Sequence, residues 1–197
     1  MLRFSAADQE VSMNSVIPEG RKEEKINGKI IDMSPSANFR HGIVNNNINT
    51  LIKNGLKNSM CLVFMENLDL RYQPDQNDNY VIPDVMIVCD RKQLHGGSYH
   101  GVPKFVAETL SPATAMRDLT EKKDIYQTIG VSEYWIVSPK ERGVQIYYLN
   151  DGEYKLVNSL ILEDDAENKN YNASVQLSLR EFPQIKMTLE EIFEGVE

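Results

Sequence analysis

Apolar and polar positions alternate with different periods along the chain, and the period assigns most of its elements. Residues 23–33, EEKINGKIIDM, hold two strand-like runs around Asn27-Gly28, the pair that best accepts positive φ at both central positions of a tight hairpin. Ser34-Pro35-Ser36 ends the second run. From 38 to 57 the apolar residues Ile43, Val44, Ile48, Leu51, Ile52 and Leu56 recur at helical spacing, which predicts a helix buried along one face. Strands follow at 61–72 (CLVFMENLDLRY) and 81–88 (VIPDVMIV), joined by the turn QPDQND. A loop to Val102 then leads into a strand at 104–110 (KFVAETL). Ser111-Pro112 halts that strand, a helix opens at Thr114 or Ala115, and Gly130 is its C-terminal stop. SEYWIVSP and VQIYYLN are strands, and the second turns through Asp151-Gly152 into EYKLVN. An acidic loop, one or two short strands and a terminal helix around Leu189 to Phe193 follow. Residues 1–20 show no period and contain Pro18 and Gly20, which predicts a flexible or loosely docked lead-in; residues 21–197 read as a single domain. The order helix, strands, helix, strands predicts an α/β (α+β) architecture in which helices flank a central mixed β-sheet.

Composition narrows the function. The chain has 197 residues, 41% of them hydrophobic, enough for one sizeable core. Its apolar runs, such as Val85 to Cys89, are far short of the roughly 20 residues of a membrane span. MLRFSAADQEVSMNS lacks the apolar stretch of a secretory signal, so a soluble, cytoplasmic protein is expected. Cys61 and Cys89 have no C-x-x-C spacing, and both are expected to be reduced and buried. His95 and His100 fall in the Gly-rich LHGGSYHG, which reads as a surface loop rather than a zinc site. The net charge of -8 looks adverse for a partner made of phosphates, but its distribution is uneven. Residues 1–150 hold 17 Lys+Arg against 18 Asp+Glu, and residues 151–197 hold 4 against 11.

Two carboxylates stand where their apolar neighbours do not explain them. Asp84 precedes the continuous run Val85 to Val88, and Glu108 lies inside FVAETL, both with the look of strands buried on two faces. Buried carboxylates are normally paired, hydrogen-bonded or bound to metal. The bland alternative, a strand end in solvent or a lysine partner, has about equal weight on spacing alone. In RDLTEKKDIYQTIG, the residues Leu119, Lys122, Tyr126 and Ile129 follow at intervals of three, four and three, so Lys122 falls within the apolar stripe and Lys123 outside it. A snorkelling lysine has the same spacing.

The stretches EEKINGKIIDMSPSANFRHGIV, VIPDVMIVCD, FVAETLSPATAMRDLTEKKDIY and GVSEYWIVSP resemble the Uma-two restriction-endonuclease family, a branch of the PD-(D/E)XK nuclease superfamily. The resemblance runs from about Glu23 to the C-terminal helix and preserves the family's order. It implies a restriction-endonuclease-like fold and a Mg²⁺-dependent endonuclease that hydrolyses DNA, with Mn²⁺ as a substitute ion. It also implies that Asp84 and Glu108 hold the metal, with the backbone carbonyl of Thr109 as a third oxygen, and that Lys122 is the catalytic lysine. Glu24 and His41 match family positions and would support the site. In most of the superfamily the lysine stands two residues after the acid, where this chain has Leu110; the family's helix-borne lysine accounts for that departure. Leu119 stands where arginine is frequent and Ser138 where an aspartate often follows, which bears on supporting contacts only. A homodimer is expected by analogy, since two sites suit the cutting of two strands.

Other candidates fare less well. Ser111 and Thr114 lack a G-x-S-x-G elbow and read as a helix cap. Trp135 reads as core, and Lys104, Arg117 and Lys123 as surface charge. The rival functions are a nuclease-fold module that binds nucleic acid or protein with little turnover, and a metal-dependent hydrolase of another phosphoester.

Overall fold

The computed structural model of the chain describes residues 22–33, 38–72, 78–112 and 114–197. The expected lead-in at 1–20, the Ser34-Pro35-Ser36 stop and most of the QPDQND turn lie outside the described residues. Asn27 and Gly28 both take positive φ, 52° and 76°, and turn β1 (Glu23–Ile26) into β2 (Lys29–Asp32) as the Asn-Gly pair predicts. Helix α1 (Phe39–Gly55) is capped by the Asn38 side chain, and its buried stripe is His41, Val44, Asn45, Ile48 and Ile52. Its upper end is therefore polar.

The two long strands expected at 61–72 and 81–88 each break in the middle. The first divides into β3 (Leu62–Met65) and β4 (Asp69–Arg71), the second into β5 (Tyr80–Val81) and β6 (Val85–Val88). β3 and β6 belong to one six-stranded sheet, whereas β4 and β5 belong to another. The expected loop after β6 contains a 3-10 turn (Arg91–Gln93) and the small hairpin β7 (Leu94–His95) and β8 (Ser98–Tyr99). β9 (Phe105–Thr109), β10 (Glu133–Ser138), β11 (Gly143–Asn150) and β12 (Glu153–Ile161) follow. The central sheet has the order β12-β11-β10-β9-β6-β3, and the outer sheet β2-β1-β5-β4-β8-β7. Within the central sheet only β9 and β10 run parallel. A parallel pair needs a crossover, and the helical segment between them provides it.

That crossover is composite: α2 (Ala115–Arg117), a π-helical turn over Asp118–Lys122, then α3 (Lys123–Ile129), ending at Gly130 with φ 92°. The π turn corrects the predicted stripe. Its wider turn places Asp118, four residues before Lys122, on the inner face and leaves Leu119 40% exposed. The inner face is thus Asp118, Lys122 and Tyr126.

Alternation along the central strands sends Val85, Ile87, Phe105, Ala107, Trp135 and Val137 to one face, where they meet α1. The C-terminal hairpin β13 (Gln176–Ser178) and β14 (Lys186–Thr188), with α4 (Leu189–Ile192), completes that layer. Met86, Val88, Val106, Tyr134 and Ile136 face the crossover helix and the outer sheet. Cys61 and Cys89 are joined in a disulfide, contrary to the reduced state expected. They sit one step beyond the Leu62–Val88 pair of the β3–β6 ladder. Among the described residues no helix is long and apolar enough to cross a membrane.

Candidate active site

The broken strands create the site. The chain leaves the central sheet at Glu66 and re-enters it at Asp84, and the two crossings are tied together where Glu66 N–H donates to the Asp84 carbonyl at 3.1 Å. Glu66 sits at φ 52°, a left-handed conformation that a non-glycine residue adopts only at some cost. β6 and β9 pair antiparallel with Val85 opposite Ala107, so one step further Asp84 stands opposite Glu108. Alternation then points Glu108 to the crossover-helix face and Thr109 to the α1 face.

On the helix face one ammonium serves several acids. Lys122 Nζ lies 2.9 Å from Glu24 Oε1, 2.9 Å from Glu108 Oε1 and 3.8 Å from Asp118 Oδ1, and donates a longer bond of 3.4 Å to the Ile82 carbonyl. All four charged side chains are buried. Tyr126 donates to Glu108 Oε1 at 2.5 Å, and Tyr134 donates to the Asp118 carbonyl at 2.9 Å. Glu24 also accepts from Ile82 N–H at 2.9 Å and meets Arg117 at 3.3 Å. Burial drives the Glu108 carboxyl well above its usual range; Lys122 opposes this, but Asp84, Asp118 and Glu24 add to it. Burial likewise raises Asp118 to about 6, again against Lys122. Burial pulls Lys122 down, yet the surrounding carboxylates, Glu108 first, leave it raised and firmly protonated.

On the α1 face Asp84 Oδ2 accepts from Thr109 N–H at 2.7 Å and meets His41 Nε2 at 3.1 Å. His41 Nδ1 lies 3.5 Å from Glu66 Oε1, which also accepts from Asn45 Nδ2 at 2.7 Å. Thr109 Oγ1 donates to Asn45 Oδ1 at 2.5 Å. Burial depresses the His41 pKa, but the hydrogen bond and charge of Asp84, with Glu66 and Asp118, outweigh it and raise it.

The structure therefore brings Asp84, Glu108, Lys122, Glu24, His41 and Thr109 into one place. Lys123 does not join them, since its ammonium lies 3.9 Å over the Tyr147 ring. Lys104 pairs with Glu181, and Arg117 leaves its surface reading by pairing with Glu24. Ser111 Oγ accepts from Thr114 N–H at 3.3 Å in the turn before α2, but Thr114, at the cap position itself, makes no side-chain capping bond, so the expected cap does not form there. Asn45, Glu66, Asp118 and Tyr126 join the site beyond those the sequence points to. Asn45 continues the His41 to Ile48 stripe of α1, and Asp118 and Tyr126 stand four residues to either side of Lys122, signals the sequence did carry.

A family model described as "Uma2: Putative restriction endonuclease" matches residues 11–187. The chain belongs to the Uma2 family. Two uncharacterized proteins of Synechocystis sp. are similar to this Uma2 protein. With slr1290 it is 29% identical over 139 residues, 70% of this chain and 72% of that one. With sll1609 it is 28% identical over 119 residues, 59% and 66% of the two. The crystal structure of "a putative nuclease belonging to DUF820" from Anabaena variabilis ATCC 29413 superposes with a TM-score of 0.67 at 16% identity, covering 89% of this chain and 91% of that one. The fold is thus nuclease-like.

The donor set of the Uma2 site fits a hard divalent ion. Asp84 uses only Oδ2, and Glu108 only Oε1, in hydrogen bonds and ion pairs among the described residues, so each has a second oxygen for a cation. Three buried carboxylates, Glu24, Glu108 and Asp118, share the Lys122 ammonium, and buried Asp84 stands opposite Glu108, a set of oxygen donors that suits a further hard cation.

Proposed function

We propose that this Uma2 protein is a divalent-metal-dependent endonuclease that hydrolyses DNA phosphodiester bonds, with Mg²⁺ or Mn²⁺ held by Asp84, Glu108 and the Thr109 carbonyl. The observation that carries the reading is the 2.9 Å contact of Lys122 Nζ with Glu108, opposite Asp84. Leu110, two residues after Glu108, is packed against the helix-side core, and a helix-borne lysine takes the place a lysine there would fill.

A bound divalent ion supplies charge screening at the phosphodiester and makes water more acidic. The protein's own groups do the rest. Lys122 has three N–H donors; the bond to the Ile82 carbonyl, at 3.4 Å, is the weakest and the easiest to exchange for a phosphate oxygen or attacking water. Its charge then stabilises the negative charge that grows on phosphate in the transition state. Glu24 and Asp118 hold the ammonium in place, and Tyr126 fixes which oxygen of Glu108 faces Lys122. His41 braces Asp84 from the other side. A homodimer would bring two such sites to one duplex.

Purified protein incubated with supercoiled and linear DNA in Mg²⁺ or Mn²⁺, with a chelator control, tests the reading. Nicking or linearisation should need the ion and vanish in Asp84→Asn and Glu108→Gln. DNA retention without cleavage would favour a binding module, and turnover of RNA or small phosphoesters alone another hydrolase.

A further inference from the structure

At the end of β3 and β6 away from Glu66 and Asp84, a cavity opens onto the Cys61–Cys89 disulfide. We propose that this cavity docks small thiols that carry carboxylates, and that such a thiol opens the disulfide from there by joining to Cys89. The site stands apart from the proposed hydrolysis and does not depend on it.

After β6 the chain passes through Cys89 into the short helical turn Arg91–Gln93, then returns by way of β8 to Lys104. These stretches enclose a cavity of about 630 Å³. Cys89 lines it and is half-buried, whereas Cys61 is only 8% exposed and belongs to the core on the α1 side. A thiolate arriving through the cavity therefore meets the sulfur of Cys89 rather than that of Cys61. Met60, Tyr99 and Val102 give the cavity an apolar wall.

The charge of the lining selects the ligand. Arg91, Lys92 and Lys104 face one lining acid, Asp90. Asp90 Oδ1 accepts from the Lys92 backbone N–H, and Lys104 is paired with Glu181. Arg91 and Lys92 thus remain without an ion pair among the described residues. Two unneutralised cations beside an apolar wall suit carboxylates on a short aliphatic frame. Arg91 also bears on the bond itself. It follows Cys89 by two residues, and its Nε donates to the carbonyl of Met60, the residue before Cys61, at 2.6 Å. Positive charge is thereby held by both halves of the disulfide, and a cation near a leaving thiolate lowers its pKa and speeds its departure. In the exchange the incoming thiolate bonds to the Cys89 sulfur as the Cys61–Cys89 bond breaks, and Cys61 leaves as a thiolate that takes a proton from water. A second small thiol, attacking the first, then frees Cys89 and departs with it as their own disulfide, so two thiols supply the two electrons.

Glutathione, a thiol with two carboxylates, is the probe, and mercaptoethanol, which has none, is its control. The native full chain, exposed briefly to glutathione and quenched with an alkylating reagent, should carry the tripeptide on Cys89 and the alkyl group on Cys61 when its peptides are weighed. Both reagents attack as thiolates, so the difference between their rates isolates the carboxylates. Arg91→Ala with Lys92→Ala should slow opening by glutathione at least about tenfold more than opening by mercaptoethanol, since the focused positive field is lost. Should that variant fold poorly, the native chain still answers: added salt should slow glutathione more than mercaptoethanol. Tripeptide found on Cys61, or rates for the two thiols that fall equally in the variant or in salt, overturns the proposal.

Discussion

Burying Lys122 beside Glu24, Glu108 and Asp118 makes one side chain responsible both for holding those acids together and for the proposed chemistry. Lys122→Ala leaves three buried carboxylates without their shared cation, which should cost about 3–5 kcal/mol of stability. Cleavage should fall by about 10²-fold or more. Mg²⁺ should still bind, and it should raise the melting temperature of the variant more than that of the native chain, because the ion then relieves a larger repulsion. Lys123→Ala, over the Tyr147 ring, should change cleavage little. Native-rate cleavage by Lys122→Ala would remove the crossover helix from the mechanism. Glu133 offers a separate reading of buried charge. Burial raises it to about 7 from 4.5, although the N–H groups of Arg180 and Trp135 pull it back. The folded protein therefore holds a proton that the unfolded chain releases, so this group's contribution makes stability fall as pH rises from about 4.5 to about 7 and level off above. Trp135 is the single tryptophan and donates to Glu133 at 2.7 Å. Its fluorescence should titrate with a midpoint near 7 in the native chain and not in Glu133→Gln. Asp84, Glu108 and Lys122 stand out as charges in apolar runs, but spacing alone leaves a structural reading equally open, and only the family resemblance groups them. Glu66 does not stand out, because nothing in FMENLDLRY marks the point where the strand changes sheets.

At the level of elements, period alone located α1, the crossover helix and β9 to β12, whose patterns are long and whose ends carry turn or cap residues. It failed at 61–72 and 81–88, where each strand-like stretch serves two sheets and only tertiary pairing decides where the break falls. The π turn escaped for a related reason: a helical stripe read at α spacing picks Leu119, and the wider turn substitutes Asp118. The disulfide follows from the β3–β6 pairing and closes a separation of 28 residues. On the chain-entropy account such a loop stabilises by about 3–4 kcal/mol. Reduction, or Cys61→Ser with Cys89→Ser, should lower the melting temperature. Mg²⁺ binding should persist, because the cysteines stand at the opposite end of β3 and β6 from Glu66 and Asp84. A melting temperature unmoved by reductant would show that the bond adds nothing to the fold.

For the molecule as a whole, the acidic excess after Asp151 lies closer to the site than its place in the sequence suggests. Ile161 pairs with Gly143, and Gly143 with Ser138, at the end of the sheet where β9 delivers Thr109. Glu163, Asp164 and Asp165 thus share that end, three strands or about 14 Å to one side. Asp164 is already paired with Arg142. Beyond a Debye length of about 8 Å their effect on bound phosphate should be modest. Neutralising all three should improve DNA affinity by less than tenfold at physiological salt, and a larger gain would place the duplex across β12.

The two crossings at Glu66 and Asp84 also join parts that should open with very different ease. Asp84 and Glu108 belong to a sheet whose strands reach nine residues, whereas Glu24 rides on an outer sheet of strands two to four residues long. Local opening free energy follows such differences in pairing. Amide hydrogen exchange should therefore be fast at Ile26, Val81 and Tyr99 and slow at Val106, Ala107 and Trp135. Opening of the outer sheet alone would release Glu24 from Lys122 while Asp84 and Glu108 kept their places, leaving the ammonium more available to a phosphate than the closed form allows.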